Sequence, residues 1–146
     1  MAETVERRTR PVAIAGHSIY SLLLPVPVVT FTGALLTDVI YTRSENLMWS
    51  NFSAWMILAG LVVGFVAGIF LLIDYGRNAI GRTVPGWISL FFFLAAWIIE
   101  IFNMLIHNQD GWTSVVPSGI ILSLVATILI WIAGWLYRPA LVVAEP

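Results

Sequence analysis

Four long apolar stretches separated by short polar ones set the pattern of this chain. Ser18 to Tyr41 holds 24 residues, Phe52 to Ile73 is an apolar run of 22, and Val84 to Ile106 and Val115 to Tyr137 hold 23 each. At about 1.5 Å per helical residue, each is long enough to cross a hydrocarbon core of about 30 Å. The pattern predicts four transmembrane helices, about 18–41, 52–75, 84–107 and 115–137, within a domain of residues 17–138. A polar arm over 1–16 precedes them and a tail over 139–146 follows. Short connections make successive helices antiparallel neighbours, so the fold class expected is an all-α, integral membrane, up-down-up-down bundle.

Within the second stretch, Gly60, Gly64 and Gly68 stand four residues apart, with Ala67 widening the same face. Such a seam lets a neighbouring helix approach closely in lipid, where packing and weak Cα–H···O contacts favour association. Ser53, Gly60, Ala67 and Asp74 recur every seven residues, so one stripe carries a hydroxyl at its start and a carboxyl at its end. In the first stretch Pro25 and Pro27 remove two backbone donors, which predicts a kink in its first third or a helix that starts properly only there. Pro117 falls near the first turn of the fourth helix, where proline is tolerated.

Composition sharpens the class. Of 146 residues 60% are hydrophobic and 10% charged, and the mean hydropathy is +0.93, which leaves room for one compact membrane domain. Without cysteine there is no disulfide, thiolate nucleophile, iron–sulfur cluster or thiolate zinc site on this chain. A net charge of -1 without a basic patch argues against nucleic acid as a partner. The N-terminal apolar stretch is too long for a signal-peptide core, so a retained helix is expected.

Orientation follows from the arginines. There is no lysine, and the arm, the link after the second helix and the C-terminal end at Arg138 hold six of seven arginines, leaving Arg43 alone on the other side. The expectation is a bacterial cytoplasmic-membrane protein with both termini inside. Trp49, Trp55 and Trp112 would then mark the outer interface, and Tyr75, Trp87, Trp135 and Tyr137 the inner one.

Ionisable groups at membrane depth are costly when charged and unpaired, so they are the candidate functional residues. Glu100 lies roughly 20 Å along the third helix by a rise of about 1.5 Å per residue. Asn103 and His107 share its face, and Asp38 on the first helix lies at similar depth, making an outer polar cluster. It reads either as a proton-accepting or metal-binding site or as a hydrogen-bonded clasp between helices. No paired-histidine metal spacing is present, and no metal is expected. An inner cluster of His17, Asp74, Arg77 and Arg82 reads as charge pairing at a helix end or as a headgroup or quinone pocket. Thr30, Thr32, Thr37, Ser89 and Ser123 are expected to bond to their own helix backbone.

The two histidines, His17 and His107, fall on opposite faces of the predicted bundle, which rules out joint ligation of one haem within a monomer. No nucleophile motif occurs, so no catalytic residue is proposed. The functions that remain are a non-enzymatic structural or accessory subunit, contacting lipid and other membrane subunits or itself; a quinone- or haem b-binding redox protein; and proton or ion conduction through Asp38 and Glu100.

The opening Gly16-His17-Ser18-Ile19-Tyr20-Ser21, then Pro25-Val26-Pro27 and the Asp38 near the end of the first helix resemble a bacterial family of small predicted membrane proteins, domain-of-unknown-function family 2231. Phe52-Ser53-Ala54-Trp55, Ala59-Gly60-Leu61, Ala67-Gly68, Ile73-Asp74-Tyr75 and Gly134-Trp135-Leu136 continue the likeness over about residues 14–136. The resemblance implies a four-helix bundle in a bacterial inner membrane and no particular activity. Its second opening histidine is Tyr20 here, the prolines flanking that motif are Ser18 and Ser21, and a third-helix histidine has no equivalent at Pro85 to Trp87. A metal or haem site built on those histidines would be lost from this chain.

Overall fold

The computed structural model describes residues 13–14, 17–77, 84–109 and 111–137. After a two-residue antiparallel pairing of Ala13–Ile14 with His17–Ser18, the chain is helical: α1 (Ile19–Leu23), α2 (Pro25–Ser44), α3 (Leu47–Gly76), α4 (Val84–His107) and α5 (Ser118–Leu136). The first apolar stretch is thus two helices meeting at Leu24. Pro25 occupies the first position of α2, where its missing N–H costs nothing. Leu24 still donates to the Tyr20 carbonyl at 2.8 Å, so the break between the two helices leaves that donor satisfied.

Two boundaries differ from the sequence reading. The predicted helices over 18–41 and 52–75 leave a link from Thr42 to Asn51, but only Glu45 and Asn46 lie between α2 and α3. Asn46 caps α3 by accepting from the Met48 N–H at 3.0 Å, and Glu45 closes α2 in the left-handed region at φ 52°. Polar composition concealed a helix start because Asn46 is itself a strong capping signal. At the other boundary α5 begins at Ser118 rather than Val115, because a 3₁₀ turn (Gly111–Ser114) and Pro117 come first.

The helices pack in a ring. α2 rests on α3 and α5, and α4 rests on α3 and α5, so α2 and α4 face each other across the bundle, while α1 lies against α3. We call the end bearing the Glu45–Asn46 link the upper end, and the end where Ser18 and Tyr137 meet the lower. Between them Tyr20, Phe31, Ala67, Leu71, Phe93 and Ile130 form a core from all the helices. Tyr20 sets its ring edge-on to Phe93 and Tyr137, with centroids 5.5 and 4.5 Å away.

All four spans are long and apolar enough to cross a membrane, and only 28–33% of each is buried inside the bundle. The remainder exposes Val29, Phe65, Phe91, Phe102, Ile121 and their neighbours, a belt that only lipid or another apolar surface can cover. Since lipid is as apolar as these side chains, packing and interhelical hydrogen bonds hold such a bundle together.

Candidate functional site

The seam on α3 seats aromatic rings. A Cβ added at Gly60 would overlap the Phe31 ring and the Thr30 hydroxyl of α2. At Gly64 it would lie 3.1 Å from Trp97 Cδ1 and at Gly68 3.2 Å from Phe93 Cε1, both on α4. Gly60, Gly64, Ala67 and Gly68 are all buried, and the notches they leave are filled by side chains from two helices, whereas the sequence suggested close approach of a backbone. Trp97 is held in its notch by donating from Nε1 to the Leu61 carbonyl at 3.0 Å.

At the upper end the buried stripe of α3 opens into a polar network. Asp38 of α2 is fully buried and reaches all three other long helices. Its Oδ1 accepts from Ser53 of α3 and meets His107 Nε2 of α4 at 2.9 Å; its Oδ2 accepts from Ser123 of α5 at 2.5 Å. Ser53 Oγ also lies 2.9 Å from the Ala34 carbonyl. Ser123 in turn accepts from Asn103 Nδ2 at 2.8 Å, and the same amide nitrogen donates to Glu100 Oε2 at 2.9 Å. The sequence-derived outer cluster of Asp38, Glu100, Asn103 and His107 therefore comes together, joined by two serines.

The protons in this network can be counted. His107 Nδ1 lies 3.0 Å from the Asn103 carbonyl, which can only accept, so Nδ1 carries a hydrogen. The Nε2 of the same ring faces Asp38 Oδ1, and a hydrogen bond there requires one proton between them. Whichever atom holds it, the Asp38–His107 pair is neutral as a unit. Both side chains are fully buried, and the slight exposure of residue His107 belongs to its backbone. Gly119 makes room for the ring, since a Cβ there would sit 3.0 Å from His107 Cε1 and 2.9 Å from the Ser114 carbonyl oxygen.

The lower end carries a smaller array. Asp74, fully buried at the end of α3, accepts from Ser18 Oγ at 3.2 Å, and Ser18 accepts from Tyr137 Oη at 3.1 Å. Burial pushes the Tyr137 phenol up from its ordinary value; the Ser18 bond opposes this and the Asp74 carboxyl adds to it. Of the inner cluster read from sequence, Asp74 occupies this array and Arg77 is exposed. Arg82 and the His17 side chain lie outside the described residues. Tyr20 Oη and Tyr75 Oη are buried here without hydrogen-bond partners.

Sequence reading missed the partners more than the principals. Thr30, Thr32 and Thr37 do bond within α2. Ser89 and Ser123 cross to other helices instead, to the Ala133 carbonyl and to Asp38. Ser53 had a signal, its place on the stripe that ends in Asp74; Ser18 and Tyr137 had none. Among the described residues no group of three or more His, Cys, Asp or Glu is placed to hold a metal.

Four membrane-length helices ringed around a buried polar network define a polytopic membrane protein in contact with lipid. The family model described as "Predicted membrane protein (DUF2231)" matches residues 16–138, and the chain belongs to that family. Searches of curated proteins and of solved structures found no match.

Proposed function

We propose that this is a non-enzymatic protein of the bacterial cytoplasmic membrane, with both termini inside, working as a structural or accessory subunit of a larger membrane complex or of a homo-oligomer. The observation that carries the reading is Asp38: its two oxygens are committed to Ser53, His107 and Ser123, one partner from each of the other long helices. Polar groups used in this way clasp a bundle. The wide apolar flank, with Trp135 88% exposed and Trp55 70%, offers surface to neighbouring subunits as well as to lipid. Arginine distribution supports the orientation. Deleting the gene and resolving membrane complexes on native gels tests it: a complex should shrink or vanish and should copurify with the tagged chain. Every complex intact and unaltered in size would overturn it.

A quinone is a second reading, favoured by the buried and unpartnered hydroxyls of Tyr20 and Tyr75, which are donors of the kind a quinone carbonyl accepts. Lipid extraction and mass spectrometry of the purified protein decide it; a quinone-free preparation removes it.

A further inference from the structure

Glu100 and Asn103 stand three residues apart on one face of α4, both fully buried, joined by the amide donating to Glu100 Oε2 at 2.9 Å. The second amide hydrogen goes to Ser123, so the side chain of Asn103 has no donor left. What remains is Glu100 Oε1 and Asn103 Oδ1, both buried and neither with a hydrogen-bond partner. Each is attached to a carbon whose other polar atom takes part in the same Glu100–Asn103 bond, so the two unfilled oxygens belong to one place in the bundle. Two buried acceptors with no donor make an unfavourable arrangement.

Charge points the same way. The titratable groups near Glu100 are Asp38 and His107, with Asn103, Ser123 and Ser53 completing the network. Only His107 can become a cation, and it is committed to Asp38 in a pair that is neutral as a unit. Arg43, at the same end, is exposed. An ionised Glu100 would be a sealed negative charge without a counter-charge, a state that low-dielectric surroundings penalise heavily.

We propose that Glu100 is a proton-binding site: the folded bundle holds one proton there, beyond the one that Asp38 and His107 share. The proton belongs on Oε1, because Oε2 already accepts from Asn103, and its O–H is the donor this place lacks. The inference is independent of the subunit reading, and either can fail alone.

The test uses the full chain in lipid nanodiscs at neutral pH, grown with carboxyl-labelled glutamate and examined by infrared spectroscopy. The five glutamates are Glu3, Glu6, Glu45, Glu100 and Glu145, and only Glu100 falls within a span, so one labelled carboxylic C=O stretch is expected, equivalent to one proton per chain. Glu100→Gln should abolish that band while leaving the carboxylate bands unchanged. A labelled wild-type sample with carboxylate bands alone would overturn the proposal, as would a carboxylic band that survives in Glu100→Gln. The wild-type spectrum decides even if the variant does not fold.

Discussion

Asp38 and His107 meet at 2.9 Å although their helices, α2 and α4, stand across the bundle from each other. The bond therefore runs through the middle of the ring, and the helices between contribute Ser53 and Ser123 to the same carboxyl group. Removing one partner leaves the other buried and unmatched, which costs about 3–5 kcal/mol. Asp38→Ala and His107→Ala should each lose that much in detergent unfolding titrations. The double variant should lose clearly less than the sum of the two.

The glycines should separate sharply. A methyl group at Gly60 meets Phe31 and Thr30, and one at Gly119 meets His107 and the Ser114 backbone, whereas at Gly76 nothing lies within 4 Å. Gly60→Ala and Gly119→Ala are expected to cost about 1–3 kcal/mol through overpacking. Gly76→Ala should be neutral or gain about 0.4–1 kcal/mol by restricting the unfolded chain. Melting temperatures of the three variants, measured side by side, give the ranking.

At the lower end, Tyr137 ties stability to alkaline pH. Its phenol, raised by burial, keeps its proton in the folded protein above the ordinary tyrosine value of about 10, where an unfolded chain has released it. Its contribution is complete below that value and declines as pH rises through the folded one. Tyr137→Phe should flatten this alkaline fall in thermal stability; an unchanged slope would show that the buried Tyr137 phenol has no part in it.

Because the natural chain has no cysteine, single cysteines report sidedness cleanly. Glu45→Cys and Arg77→Cys sit at opposite ends of α3. In intact cells an impermeant thiol reagent should label the first and leave the second untouched until the membrane is broken. The reverse pattern would invert the proposed orientation.

The architecture was legible because lipid imposes so simple a rule: a run of about twenty apolar residues has to satisfy its backbone internally and becomes a helix. Glu100, Asn103 and His107 could be grouped because helical periodicity puts them on one face, and Asp38 because depth can be counted from the helix ends. Periodicity says nothing about which neighbour a face meets, so Ser123 looked like a residue bonding to its own backbone. The seam on α3 was visible, but not that Trp97 and Phe93 would fill it, since glycine spacing records a space without naming its occupant. The joint at Leu24 followed from two prolines; the two-residue link did not, because a cap and a loop draw on the same polar residues.

Glu45 and Asn46 leave almost no slack between α2 and α3. Asp38 and Ser53, fifteen residues apart across that hairpin, are therefore indexed to each other by the length of the link as much as by their own attraction. One extra residue early in α3 would swing Ser53 about 100° around its helix and carry the whole seven-residue stripe with it, Asp74 included. This two-residue connection thus sets the angular alignment of both polar arrays, at the top of the bundle and at the bottom.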